Sequence, residues 1–175
     1  MIVNGFIVMG VSGCGKSTVA RLLAERLGWD FLDADDFHSS ENISKMEAGI
    51  PLSDSDRAPW LALLNEKLIS TLAAGRHPVL ACSALKESYR TKLFHETNGL
   101  QLIYLKGSYD LIWSRISQRK EHYMKPEMLR SQFEALDEPV GALVMDIRLT
   151  PEEIVDEIIK TSNFNPSSLS SEKNT

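Results

Sequence analysis

The sequence has few of the features that mark secreted, membrane-bound or nucleic-acid-binding proteins. Its 175 residues include only two cysteines, Cys14 and Cys82, which are too few for a disulfide framework or a cysteine metal site. No apolar run approaches the ~20 residues that a helix needs to cross a bilayer. The 19 Lys and Arg residues are outnumbered by 24 Asp and Glu residues, so no basic face indicates nucleic-acid binding. We therefore expect a cytoplasmic protein without nucleic-acid or membrane partners.

Short apolar runs alternate with helical patterns along most of the chain. Five runs have the length of buried strands, at residues 6–9, 31–32, 79–82, 102–105 and 143–145. Helical patterns lie between them, at about 19–27, 41–48, 59–72, 87–94, 111–119 and 126–136, and a last helix has a start signal at Thr150, Pro151 and Glu153. In the helix predicted from about Pro59, the periodicity turns inward Trp60, Leu63, Leu64, Leu68 and Leu72. This alternation predicts an α/β fold, a five-stranded parallel sheet flanked by helices on both faces.

A glycine-rich turn follows the first predicted strand and opens the first helix. Residues 10–17 read G-V-S-G-C-G-K-S and match the phosphate-binding pattern G-x-x-x-x-G-K-[ST] in full. Backbone N–H groups of such a loop turn toward phosphates, its lysine reaches the β- and γ-phosphates of ATP, and its serine hydroxyl ligates Mg²⁺. We predict that Lys16 is catalytic, and that the nucleotide is bound by Gly10, Val11, Ser12, Gly13, Cys14, Gly15, Lys16, Ser17 and Thr18.

Two aspartates, Asp33 and Asp35, end the second predicted strand. Residues two apart on a strand share a face, so both side chains can point into one cleft. A phosphotransferase needs one carboxylate near its metal and one near the acceptor hydroxyl. We predict that Asp33 supports Mg²⁺ together with Ser17, and that Asp35 orients or deprotonates the hydroxyl. The alternative is a solvated acidic loop or a helix cap.

Three arginines are candidate ligands for anionic groups. Arg57, within D-S-D-R-A-P-W at residues 54–60, has a fork that suits a substrate carboxylate, although this run also fits a helix cap with a local ion pair. Arg115 and Arg119 are four residues apart, hence on one helix face. We predict a lid at about residues 119–126 that closes over ATP, with Arg119 catalytic. The alternative is a surface pair that serves only solubility.

The four histidines show no metal-ligand spacing. His38 and His122 adjoin the predicted site and are candidates for substrate contact. His77 and His95 are expected at the surface.

Cys14 lies inside the predicted anion-binding turn, close to Lys16 and to a helix N-terminus. Both neighbours favour the thiolate form of a cysteine. We therefore expect alkylating agents to modify Cys14 before Cys82, the alternative being an ordinary thiol.

Several stretches together resemble the gluconokinases, relatives of the shikimate kinases among the P-loop kinases. They are residues 10–17, 33–38 (D-A-D-D-F-H), 51–60, 82–86 (C-S-A-L-K) and 132–136 (Q-F-E-A-L). The resemblance runs from about residue 6 to about residue 160. It implies a three-layer, nucleoside-kinase-like fold with a lid, for which we expect a kinase domain at 1–161. From Ser162 onward the composition turns to Ser, Asn, Pro and Lys, which predicts a disordered tail at 162–175.

The same resemblance implies an activity and a set of ligands. The activity is ATP- and Mg²⁺-dependent phosphorylation of D-gluconate to 6-phosphogluconate by a homodimer. The resemblance places Ser83, Lys86 and Arg90 near the substrate. It places Arg115 near adenine and Arg119 near the phosphates.

Other functions are compatible with a phosphate loop. A shikimate kinase carries a glycine triplet after its third strand, where this chain has Cys82, Ser83 and Ala84. An adenylate-kinase-like enzyme needs a second phosphate site, for which the acidic segment from Asp54 is poorly suited. A chain that resembles the GTPases would carry the guanine motif N-K-x-D and the switch motif D-x-x-G, and neither string occurs in this sequence. An ATP-binding regulator without catalysis stays open.

Overall fold

Five parallel strands form the centre of the protein. The structure is a computed structural model, and it describes residues 2–118 and 126–164, with Pro126 described for its backbone only. The strands are β1 Gly5–Met9, β2 Asp30–Asp33, β3 Pro78–Ala81, β4 Leu100–Lys106 and β5 Leu143–Asp146, and they lie in the order β2-β3-β1-β4-β5. All four pairings are parallel. Every residue of β1 and β3 is buried, as their unbroken apolar sequences predict.

Seven helices are described around this sheet. They are α1 Lys16–Leu27, α2 Ser40–Glu47, α3 Asp54–Ala73, α4 Glu87–Leu93, α5 Tyr109–Ser117, α6 Pro126–Glu134 and α7 Pro151–Thr161. The predicted start of α7 is confirmed, because Thr150 and Glu153 form a capping box ahead of it. A short 3-10 turn, Ala34–Phe37, follows β2. In the part of the chain that the structure describes, no helix is long and apolar enough to cross a membrane.

Two hydrophobic cores cover opposite faces of the sheet, which confirms the three-layer arrangement. One contains residues of α1, α5 and α7, with Leu23, Ile112 and Val155 fully buried. The other contains residues of α3 and α4, with Leu64 and Leu93 buried. Because the strands are parallel, the carboxyl ends of β1, β2 and β3 lie at the same edge of the sheet, where ligands bind in such folds.

The start of α3 differs from the prediction. The helix begins at Asp54, because Ser53 accepts a hydrogen bond from the Asp56 amide (3.1 Å) and Asp56 accepts one from the Ser53 amide (2.9 Å). This reciprocal cap sets the start earlier than Pro59, which lies inside the helix. The predicted core face was also wrong at Leu63, which is 45% exposed, whereas its neighbour Leu61 is fully buried.

The chain remains packed beyond the predicted domain end at residue 161. The Val3 amide donates to the Asn163 carbonyl (2.8 Å), and Phe164 lies edge-on to Trp29 with ring centroids 6.0 Å apart. The folded part thus extends at least to Phe164. The rest of the predicted tail, and all of the predicted lid except Pro126, lie outside the described residues.

Candidate active site

The phosphate loop, residues 10–17, connects β1 to α1 as predicted. Gly13 and Gly15 have φ angles of 83° and 99°, in the left-handed region that favours glycine. A Cβ at Gly13 would also lie 2.5 Å from Ile116. Gly15 is the N-cap of α1, without a side chain to occupy the helix N-terminus. The loop therefore presents backbone N–H groups and the positive end of a helix to an anion.

The loop's lysine and serine already make polar contacts in the structure. The Lys16 ammonium donates to the Val11 carbonyl at 3.1 Å, which folds the side chain back over the loop. The Ser17 hydroxyl donates to Asp33 Oδ2 at 2.7 Å. The structure thus brings Ser17 and Asp33, predicted separately as metal ligands, to one point at the carboxyl edge of the sheet.

These two oxygen ligands fit a magnesium ion bound jointly with a nucleotide. Mg²⁺ prefers hydroxyl, carboxylate, phosphate and water oxygens, and keeps several waters. Within residues 2–118 and 126–164, no group of three His, Cys, Asp or Glu side chains is placed to hold a metal alone. Ser17 and Asp33 would therefore share the ion with phosphate oxygens.

Asp33 and Asp35 play different structural roles after β2. Asp33 Oδ1 accepts a hydrogen bond from the Asp35 amide (3.1 Å), so Asp33 caps the 3-10 turn while its other oxygen holds Ser17. The Asp35 side chain is 89% exposed, and its Oδ1 lies 3.9 Å from Nε2 of His38. Asp35 is thus available to an incoming hydroxyl.

His38 is buried beside this carboxylate. Its side chain is only 6% exposed, and its ring stacks on Trp60 with centroids 4.3 Å apart. Trp60 in turn donates from Nε1 to the Ala34 carbonyl (2.8 Å). Burial lowers the pKa of His38, against the opposing effect of Asp35. The lowered pKa favours the neutral imidazole, and its Nδ1 has no hydrogen-bond partner in the described chain.

Four side chains from α3, from α4 and from the N-cap position of α4 form a second polar cluster. Lys86 Nζ lies 2.9 and 3.0 Å from the two Asp54 oxygens, and the Tyr89 hydroxyl donates to the same carboxylate. This pairing raises the pKa of Lys86 and lowers the pKa of Asp54. Arg57 donates to the Leu52 carbonyl and lies over the Tyr89 ring at 5.8 Å. The structure thus brings Arg57 and Lys86 together through Tyr89 and Asp54, neither of which was a predicted site residue.

Arg90 supports the loop that follows β3. It is buried, and its guanidinium donates to the Ala84 and Leu85 carbonyls at 2.9 Å each. Ala84 has a φ of 44°, unusual for a residue with a side chain. The Ser83 carbonyl accepts a hydrogen bond from the Gly10 amide (3.4 Å), so this loop touches the phosphate loop.

A cavity of about 340 Å³ lies on the other side of the phosphate loop. Arg115 lines it and donates from Nη2 to the Ile147 carbonyl at 2.6 Å. The other lining residues include Thr18 of α1, Arg148 of the segment after β5 and Pro151 at the start of α7. Arg115, predicted near adenine, and Thr18, predicted to bind the nucleotide, thus line one cavity, and both roles stay predictions. The contribution of residues 147–151 was missed, because nothing in their sequence marks a ligand.

Burial opposes the expected thiolate character of Cys14, whereas the expectation that Cys14 is alkylated before Cys82 stays a prediction. Cys14 is buried, and burial raises the pKa of its thiol, outweighing the opposite effect of Lys16. Cys82 is likewise buried, which raises the pKa of its thiol to about 12. Both side chains pack as small apolar groups, so neither has the exposed, electropositive setting of a reactive cysteine.

Two predicted site residues, Arg119 and His122, lie outside the described residues.

Gln132 of α6, which was not a predicted site residue, contacts the phosphate loop, since its Oε1 accepts a hydrogen bond from the Ser12 amide at 2.7 Å. The only sequence signal for Gln132 was its place in the stretch at 132–136 that resembles the gluconokinases.

Comparison with known proteins agrees with this geometry. The shikimate kinase family profile matches residues 12–163. A Mus musculus protein named "Probable gluconokinase" is 49% identical over 150 residues, covering 76% of this chain and 82% of that protein. The thermoresistant gluconokinase of Escherichia coli K12 is 43% identical, covering 89% and 91%. A crystal structure of a Sinorhizobium meliloti gluconokinase superposes with a TM-score of 0.81 at 41% identity, covering 91% and 92%.

The fold and the phosphate loop define a P-loop kinase of the shikimate kinase type. Within that class the chain belongs to the gluconokinase family.

Proposed function

We propose that this protein transfers the γ-phosphoryl group of ATP to the primary hydroxyl of D-gluconate, giving 6-phospho-D-gluconate. The observation that carries the proposal is the 2.7 Å contact between Ser17 and Asp33, in a chain that belongs to the gluconokinase family. That contact links the phosphate loop to the strand end that carries Asp35. A nucleotide-binding element and an exposed carboxylate therefore lie side by side at one sheet edge.

On the donor side, the protein binds the phosphates and stabilises charge. The loop of residues 10–18 surrounds the β- and γ-phosphates, and Lys16 exchanges the Val11 carbonyl for phosphate oxygens. Arg115 and Thr18 bound the cavity for adenine. When bound at Ser17 and Asp33, Mg²⁺ supplies neutralising positive charge to the phosphates. Arg119 is proposed to add positive charge near the transferred group.

On the acceptor side, the protein orients a sugar acid and accepts one proton. Asp35 accepts the hydrogen bond of the substrate hydroxyl and takes its proton as the new P–O bond forms. Arg57 and Lys86 supply the positive charge for the substrate carboxylate, for which Lys86 exchanges its exposed ion pair with Asp54. Ser83, Arg90, His38 and His122 are proposed as the remaining substrate residues.

The wider organisation of the protein is part of the same proposal. Residues 119–126 act as a lid over ATP, and residues beyond Phe164 form a tail. Two copies form a homodimer, and two exposed valines, Val140 ahead of the edge strand β5 and Val144 within it, are compatible with such an interface. A cytoplasmic location suits two cysteines that remain free thiols.

A coupled ADP-release assay across several acceptors tests the proposal. We expect gluconate to be preferred over glucose by at least ~100-fold, because glucose lacks the carboxylate that Arg57 and Lys86 are proposed to bind. Shikimate and AMP should give no stimulation above the rate with ATP alone. Comparable rates with glucose would refute gluconate as the substrate, and ADP release that no acceptor stimulates would favour a non-catalytic regulator.

A further inference from the structure

The phosphate loop is held by a side chain from a distant part of the chain. The Ser12 amide donates to Gln132 Oε1 at 2.7 Å, across a sequence separation of 120 residues. The Lys16 ammonium holds the adjacent residue, Val11, through its carbonyl. The contact with Gln132 therefore fixes the direction of one peptide group inside the element that surrounds the phosphates.

The position of Gln132 is set by the packing of α6. Leu129, one turn earlier, is fully buried, and Phe133 packs against Tyr109 of α5 with ring centroids 5.7 Å apart. Leu136 packs against both hydrophobic cores. The packing of Leu129, Phe133 and Leu136 thus sets the place of α6 and of the Gln132 amide group against the loop.

The segment that follows Gln132 is bonded to the loop after β3. The Asp137 amide donates to the Leu85 carbonyl at 2.9 Å. Asp137 Oδ2 accepts from the Glu87 amide at 2.9 Å and so caps α4, whose N-cap residue Lys86 makes no side-chain cap of its own. Residues 132–137 are therefore bonded at one end to the phosphate loop and at the other to residues 85–87.

We propose a positioning role for residues 132–137, here named the α6 brace. They hold the phosphate loop and the loop between β3 and α4, here named the acceptor loop, at the separation that phosphoryl transfer needs. Gln132 and Asp137 are its two positioning residues. In-line transfer requires the attacking oxygen to lie close to phosphorus and in line with the leaving oxygen, and small misplacements cost large factors in rate. The inference rests on the proposed function, because it assigns residues 83–90 to the acceptor.

The phosphate-loop end of the brace is tested with Gln132→Met. This change keeps the length of the side chain and removes the acceptor for the Ser12 amide. We expect kcat with gluconate to fall about tenfold, the loss of one positioned hydrogen bond, while the ADP dissociation constant and the melting temperature stay at wild-type values. The ratio of ATP hydrolysis to gluconate phosphorylation should rise. Glu127→Met, an exposed change on the same helix but outside residues 132–137, is the matched control and should leave all four quantities unchanged.

The acceptor end is tested with a pair of variants at Asp137. Asp137→Ala removes the acceptor for the Glu87 amide and should raise the KM for gluconate without changing ADP affinity. Asp137→Asn keeps an oxygen at this position and should restore most of the wild-type KM. In the double variant Gln132→Met/Asp137→Ala, the loss in kcat/KM should be smaller than the product of the single losses. The reason is that either change alone already breaks the connection between the two loops.

A measurement on the Ser12 amide separates this inference from the kinase assignment. Hydrogen exchange of this amide in the ADP complex should be faster in Gln132→Met than in the wild type, whatever the acceptor substrate is. Unchanged exchange, or a parallel loss of kcat, ADP affinity and melting temperature, would overturn the brace even in an active gluconokinase. Multiplicative losses in the double variant would overturn it too. If the wild type fails to phosphorylate gluconate, the proposed function falls, and the exchange rate still decides whether Gln132 holds the loop.

Discussion

The donor and acceptor sides of the proposed site are built in different ways. The donor side, residues 10–18 with Arg115, is largely one continuous loop whose shape comes from glycines and a helix N-terminus. The acceptor side is assembled from residues 33–38, 54–57 and 83–90, which belong to three separate parts of the chain. The donor side offers backbone N–H groups, whereas the acceptor side offers charged side chains that already have protein partners.

This difference has an energetic consequence for the two substrates. The phosphates meet a preformed backbone cradle, so little must be broken for them to bind. The sugar acid must compete with Asp54 for Lys86 and with the Leu52 carbonyl for Arg57. Exposed ion pairs are weak, so the exchange at Lys86 costs little. Changes on the donor side should therefore lower turnover by a large factor. Changes at the cations of the acceptor side should raise the KM for the sugar acid by a smaller factor.

The largest expected effect is that of Lys16→Met. The variant should lose turnover by roughly 10²–10³-fold or more, because the ammonium acts on phosphate charge as that charge develops. Its thermal unfolding, followed by circular dichroism, should match the wild type, since the only contact of Lys16 Nζ in the described chain is the Val11 carbonyl. Lys67→Met, on the exposed face of α3, is the control and should retain full activity. Turnover within tenfold of the wild type would remove Lys16 from the catalytic residues.

Asp35→Asn should have the next largest effect. We expect kcat to fall by roughly 10²-fold if the carboxylate takes the proton of the hydroxyl, with no change in ATP affinity measured by calorimetry. Asp36→Asn, at the adjacent exposed position, serves as the control. Retention of most activity by Asp35→Asn would leave this aspartate with an orienting role at most.

Lys86→Met should have a smaller effect, limited to the acceptor. The KM for gluconate should rise roughly tenfold, with the ATP dissociation constant unchanged, because one charged hydrogen bond to the carboxylate is lost. Lys45→Met gives the contrast, since Lys45 pairs with Asp56 and Glu41 and has no proposed ligand. Initial-rate kinetics that show the same KM for both variants would contradict the assignment of Lys86.

The smallest predicted effect concerns stability and pH. The hydrogen bond from Lys45 (2.7 Å), aided by the Ser53 amide, lowers the pKa of Asp56 to about 2. A carboxylate whose pKa is lower in the folded state stabilises the fold above its ordinary pKa, and this contribution is lost as the pH falls through about 2. Urea unfolding from about pH 4 to about pH 2 should show a steeper loss in the wild type than in Asp56→Asn. Asp110→Asn, an exposed acid in the first turn of α5, should behave like the wild type. Equal slopes for Asp56→Asn and the wild type would show that this pair contributes nothing.

Local patterns predicted the donor side better than the acceptor side, for a physical reason. The phosphate loop and the contact of Ser17 with Asp33 follow from strand ends that meet at one sheet edge, and strand ends are readable from apolar runs. The partners of Lys86 depend on how α3 packs against α4, and those of Ser12 on how α6 packs near the loop. Such long-range packing leaves no periodic signal in a single sequence.

Helix starts show the same limit at a smaller scale. Pro59 suggested the first turn of α3, yet the reciprocal cap of Ser53 and Asp56 sets the start at Asp54, and Leu63 is exposed.

The pKa of Cys14 shows a related limit. Neighbouring positive charge was visible in the sequence but burial was not, and burial decides the direction in which the pKa of Cys14 shifts.

The identity of the phosphorylated product tests the central claim most directly. Phosphorus NMR of a reaction with ATP, Mg²⁺ and gluconate should show one new phosphate ester, split into a triplet by both protons of the terminal CH₂ group. That pattern is the one expected for transfer to the primary hydroxyl of gluconate. A doublet would place the phosphate on a secondary carbon, and a signal of inorganic phosphate alone would mean hydrolysis without transfer; either result would contradict the account.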